Sequence, residues 1–395
     1  MIPLRQQRIV AWTVIIGLLT QSSGLLACVN TRYSRDEERQ ITGVTVKLIM
    51  GQFAHHGETF YEDQILTTSA ELEEDSGNVE AKNDRAVAYL KLGQYERAEE
   101  EFRIIEESHP GRYRTHANQG VLYKKMGDFE KAAHHVRRSL EIQPEGHLGL
   151  GDYYVRMIDW LGDRKNDAPK LTKSGKIRKG KFVPPNTNFL GIAYAAGPMV
   201  TATNSLVNRE YLETLIKADR TFPDVLVVLG DVLQEEGEME LAYRAYHRAK
   251  MLKHPADREI SNRMTAIHRL WQRAANEKDG FIVLPYYQLE GQLNNEAEQA
   301  ADWVRVYETA EGDLVAEGKY VDIASVKKAM ASYEYVEPKY LFAGVVKGRL
   351  IKPSQKGMYV AVVVFFSVCA LVLVGFIWLI RVFMRRYRAQ PIFPQ

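Results

Sequence analysis

Three groups of residues in this chain have types and spacings that suit chemistry. Gly175-Lys176-Ile177-Arg178-Lys179-Gly180-Lys181 has the glycine and lysine spacing of a loop that cradles phosphates. Such a loop needs a Ser or Thr next, to reach magnesium, and Phe182 stands there with no apolar strand upstream. The motif is therefore rejected and a basic loop remains. Arg164, Lys165, Lys170, Lys173, Lys176, Arg178, Lys179 and Lys181 stand against the single acid Asp167. That charge suits anionic lipid headgroups or an acidic partner, and equally a solvated loop. The pairs His55-His56 and His134-His135 hold neighbours that point apart on a helix, and no carboxylate or cysteine completes a metal set. They are read as surface histidines. No zinc-protease helix and no nucleophile elbow occurs, so no catalytic residue, metal or cofactor is expected.

The two ends carry a different signal. Arg5 and Arg8 precede the apolar run Ile9 to Leu19, and small residues lead to Cys28, which predicts a signal peptide over 1–27. Leu25-Leu26-Ala27-Cys28 resembles a bacterial lipobox, which makes Cys28 the candidate lipidation site, although Leu26 is unusual in that pattern. Ordinary cleavage after Ala27, or an uncut signal, is the plainer alternative. Met358 to Ile380 runs without a charge between Lys356 and Arg381, long enough for one transmembrane helix, placed at 357–380. Basic residues flank it on both sides, so the signal peptide decides the orientation: the bulk exported, the tail 381–395 cytoplasmic. Cys28 and Cys369 are the only cysteines, so the exported part must stand on its apolar core. A net charge of +2 gives no global pull toward nucleic acid.

What must position any site is a repeat. Tyr89, Gly93, Tyr95, Ala98 and Pro110 recur 34 positions later as Tyr123, Gly127, Phe129, Ala132 and Pro144. Leu229, Gly230, Gly237, Met239, Ala242, Tyr246 and Pro255 give the pattern again. A third unit is split, with His147–Leu161 as its first helix and Asn208–Pro223 as its second, around a basic insertion at 162–206. Further helices are expected over Thr59–Glu74, Asp257–Asn276, Gln288–Thr309 and Asp322–Ser332. The stretch Ile41–Met50 is apolar without a decisive period. The organisation is therefore a lead-in at 28–58, an array at 59–277, and a mainly helical region and membrane tether at 278–356.

These residues resemble the tetratricopeptide repeat (TPR) family over about half the chain. The resemblance implies an all-α, right-handed helical solenoid of helix pairs, here with one C-terminal transmembrane helix added. It also implies that the first helix of each pair lines an inner groove for a protein partner. Carried over position by position, that groove comprises Asn83, Val87 and Leu90, then Arg114, Ala117, Val121 and Lys124, then Leu148 and Gly151. The alternative is a groove filled by the chain's own insertion or C-terminal helix. Asn83 and Asn118 resemble part of the family's clamp for a terminal carboxylate, but the full set is absent and that ligand is not expected. The expected role is a membrane-anchored scaffold that recruits a protein at the outer face of the membrane. Two alternatives are a structural subunit of an envelope assembly and, more weakly, an enzyme with its site in 278–356.

Overall fold

Small residues let paired helices approach closely, and glycines at the turns let the chain reverse between them. The computed structural model describes residues 41, 43–146, 149–167, 186–276, 283–319 and 321–340. All lie in one of two compact units, Met1–Val345; the other, Val346–Gln395, falls outside the described residues. In chain order the α-helices are α1 (Thr45–Met50), α2 (Glu58–Glu74), α3 (Val79–Lys91), α4 (Tyr95–Ser108), α5 (Tyr113–Met126), α6 (Phe129–Ile142) and α7 (Gly151–Asp167). They continue with α8 (Pro198–Ala202), α9 (Arg209–Ala218), α10 (Pro223–Glu235), α11 (Met239–Met251), α12 (Asp257–Asn276), α13 (Tyr286–Ala316) and α14 (Ile323–Met330). Among the described residues the only strand-like pairing is one isolated bridge, Thr187 to Ala193.

Three pairs pack most closely: α3 on α4, α5 on α6, and α10 on α11. The second and third share one contact, between residues sixteen positions apart in the chain, and the first carries buried residues at the same spacing. In the first pair Ala86 and Phe102 are both fully buried. In the second, a Cβ added at Gly120 would sit 2.5 Å from Val136 Cγ2, and in the third a Cβ at Gly230 would sit 2.5 Å from Tyr246 Cε1. Only a missing side chain allows that approach, which seats the ridge of one helix in the groove of the next. The turns follow the same rule. Gly93 and Gly127 both take φ 74°, the left-handed region where other residues are strained. Asn78 caps α3 by accepting from Ala81 N at 3.1 Å, and Asp128 caps α6 by accepting from Lys131 N at 3.2 Å. Fully burying a side chain such as Phe102 contributes roughly 1.5–3 kcal/mol.

The expected insertion begins later than its sequence suggests, because α7 runs on to Asp167. The described part, from Asn186, folds back onto the array. Asn188 accepts from Leu190 N and Ile192 N at 3.0 Å each, tightening a turn that buries Phe189, Leu190, Ile192 and Tyr194. Helix α8 then packs on α10.

At the far end, α13 packs against both α2 and α11, so the last long helix meets the first. The array is thereby closed from within, around one apolar cluster that runs from Ile41 to Ala300. A second, smaller cluster joins Trp303, Tyr307, Leu314, Val326 and Met330 between α13 and α14. The expected membrane helix at 357–380 and the signal peptide lie outside the described residues. Among the described residues no helix is long and apolar enough to cross a membrane.

Candidate partner-binding site

The inner face expected to hold a partner is occupied by the chain itself. Asn83, Val87, Leu90, Ala117, Val121 and Lys124 are all buried. Val87, Leu90 and Val121 share an apolar cluster with Leu48, Ile49, Met50 and Phe53 from the segment before α2. Gly151 is buried against α6, where a Cβ would lie 2.3 Å from Leu140 Cδ2. Asn83 accepts a hydrogen bond from Asn118 Nδ2 at 2.9 Å, so these two amides bridge α3 and α5. Arg114 keeps partial exposure and, with Arg112, binds Glu80. Leu148 lies outside the described residues. The sequence named two possible fillers, the insertion and the C-terminal helix; the tie that reaches Lys124 comes instead from Asp219, just past the end of α9.

Lys124 illustrates the change of role. Its Nζ lies 2.6 Å from Asp219 Oδ2, just past the end of α9, with little of either side chain exposed. Burial alone would raise the Asp219 carboxyl, yet the charge and hydrogen bond of Lys124 hold it well below the usual aspartate range. A lysine assigned to a ligand is thus spent on an internal tie.

The N-terminal segment is fixed by polar bonds at several points. Thr45 Oγ1 donates to Glu213 Oε1 at 2.8 Å, and His55 Nε2 meets the Lys217 carbonyl at 2.8 Å. Glu311, fully buried on α13, accepts from Gly57 N at 2.6 Å and pairs with His56. Gln52 Nε2 donates to Glu337 Oε1 at 2.9 Å, and Tyr340 Oη donates to Gln52 Oε1 at 2.7 Å. The start of the expected tether is therefore docked on this segment.

Where that segment meets α13 and α14 a cavity of about 400 Å³ remains. Phe53, Trp303, Tyr307, Met330 and Tyr335 supply its apolar wall, and Lys47, Lys327 and Glu337 its charge. Lys47 is engaged by Glu337 at 3.5 Å, so the remaining charge is the exposed cation of Lys327. Large aromatic walls with a few convergent polar groups are the usual makings of a binding pocket.

The histidines need correction. Only His134 of the two pairs is exposed; His55, His56 and His135 are half-buried. His135 Nδ1 faces His116 Nδ1 at 3.1 Å across the α5–α6 contact, and the His134 ring meets that of His135 edge-on. Among the described residues no group of three or more His, Cys, Asp or Glu is placed to hold a metal. A further cluster was not foreseen. Asp224 Oδ1 accepts from Tyr194 Oη at 2.5 Å and pairs with His254 Nε2 at 2.8 Å, while Oδ2 accepts from Phe189 N at 2.5 Å. Asp224 and His254 have no exposed side-chain surface, so the cluster anchors the returning insertion. Its parts lie far apart in the chain, and no local signal could have found it.

Of the basic loop, Arg164 and Lys165 lie on the last turn of α7, and Lys170, Lys173, Lys176, Arg178, Lys179 and Lys181 lie outside the described residues, as does Cys28. The model of one family, the tetratricopeptide repeat, matches residues 79–103 and 113–145. No curated protein matches the chain.

Proposed function

We propose that this tetratricopeptide repeat protein is a membrane-anchored scaffold that recruits a protein partner through the cavity between its N-terminal segment and α13–α14. The repeats themselves favour protein binding over chemistry. The observation that carries the choice of site is the burial of the inner-helix residues within the described chain, which leaves the cavity beside α13–α14 as the open apolar surface. The N-terminal segment, held on α9, α11 and α13, supplies Phe53 to the cavity wall. A partner peptide fits if it brings an aromatic or aliphatic anchor for Trp303 and Tyr307 and an acidic group for Lys327. Anchoring rests on the uncharged run Met358–Ile380, and export of the array rests on the N-terminal signal pattern. The closure of α13 onto α2 favours a second reading, a rigid spacer within an envelope assembly.

The test is co-purification of the full chain from detergent after crosslinking in cells. It is run beside a variant carrying Lys327→Glu, on the exposed side of the cavity, and Tyr335→Ala, on its wall. A partner lost in the variant supports the cavity. A partner retained in full removes it as the recruiting site and favours the spacer.

A further inference from the structure

Two arginines converge on the turn that ends α1 with no carboxylate to neutralise them. Arg248 reaches it from α11: a Cβ added at Gly51 would lie 3.5 Å from Arg248 Nη2. Arg220, two residues past the end of α9, places its guanidinium carbon 4.7 Å from the centre of the Phe53 ring. Gly51 and Phe53 are separated by one residue, so the two guanidinium groups share one neighbourhood. Other buried cations of this unit are matched: Lys124 by Asp219, Arg244 by Glu296, and Arg263 by Asp231. Among the described residues, the guanidinium groups of Arg220 and Arg248 make no hydrogen bond or ion pair.

The electrostatics agree with that geometry. Burial lowers the pKa of both groups; Glu308 and Asp219 favour the charge on Arg220, and Arg248 opposes it. Neither acid closes the gap, since Asp219 is taken by Lys124 and Glu308 makes no ion pair with Arg220. Both arginines keep part of their surface open to solvent, so a small solute can reach them. Two guanidinium forks, neither held in a direct ion pair, are a match for the several oxygens of one phosphate group.

We propose that Arg220 and Arg248 form an anion site, walled by Gly51 and Phe53, that takes the phosphate group of a small soluble solute. A soluble source is favoured because both arginines are half-buried where α1 packs on α9 and α11, within reach of a small solute. The proposal does not depend on the partner cavity.

The full chain in neutral detergent is titrated with inorganic phosphate by calorimetry, with chloride holding ionic strength constant. Saturable one-site binding is expected, weakened at least about tenfold by Arg220→Gln or Arg248→Gln and unchanged by Arg103→Gln on the exposed surface. Because the wild-type titration comes first, a variant that fails to fold leaves the test intact. Absence of saturable phosphate binding to the wild-type chain overturns the proposal. So does binding that both variants preserve. Capture on phosphatidic-acid vesicles that inorganic phosphate fails to displace would overturn the soluble source and assign the site to lipid.

Discussion

Arg244 on α11 clasps Glu296 on α13 through two hydrogen bonds, Nε to Oε2 at 2.8 Å and Nη2 to Oε1 at 3.0 Å, with almost none of either side chain exposed. This pair ties the long C-terminal helix to the last clear repeat, and so helps to hold the cavity wall in place. Removing one partner of a buried pair strands the other charge, at a cost of about 3–5 kcal/mol. Arg244→Ala and Glu296→Ala are each expected to cost that much in chemical unfolding. Arg244→Met with Glu296→Leu should recover most of it, and a double variant as weak as the singles would contradict this account of the pair.

The helix contacts make a prediction about glycine. Gly120→Ala and Gly230→Ala must push Val136 or Tyr246 aside, and Tyr246 is fixed by its 2.7 Å bond to Asp231. Each should destabilise the array by about 1–3 kcal/mol. Gly291, within α13, has nothing within 4 Å of an added Cβ. There Gly291→Ala should stabilise by about 0.5–1 kcal/mol. Thermal unfolding of the three variants distinguishes the two classes, and equal effects would refute the close-approach argument.

A pH dependence follows from the α5–α6 contact. Burial, joined by repulsion from His116, His134 and Lys131, holds His135 down to about 4. A histidine depressed in the folded state is favoured in its neutral form. Its contribution is therefore complete above the ordinary histidine pKa of about 6.5 and is lost as pH falls from there toward 4. Histidine-selective NMR should find His135 neutral at pH 6. Titration at its ordinary value would contradict the packing of this contact.

The proposed anchored topology predicts that a reporter fused after Gln395 is cytoplasmic and one fused near Asp279 is exported. The reverse pattern would overturn the orientation. Cys28→Ser should abolish labelling by a palmitate analogue if Cys28 is lipidated, and unchanged labelling would assign the lipid elsewhere or nowhere.

What the sequence could convey was set by distance along the chain. The contacts Gly120 with Val136 and Gly230 with Tyr246, and the equally spaced buried Ala86 and Phe102, involve residues close in sequence, so their register stood out as a repeat. Asp322, read as a helix start, does cap α14 through a reciprocal bond with Ser325. Helix α1 escaped because six residues are too few for a period to register. Its partners also lie far away, as with Thr45 and Glu213. The inner groove was read by analogy with repeats that leave it open. Nothing local in those inner helices announced that their side chains would be buried within the chain.

The most direct test of the central claim is photo-crosslinking in cells from an unnatural amino acid placed at position 327, compared with one at position 71 on the outer part of α2. The account predicts a discrete partner adduct from position 327 that is absent at position 71. Adducts of equal yield from both positions, or one from position 71 alone, would contradict recruitment at the cavity.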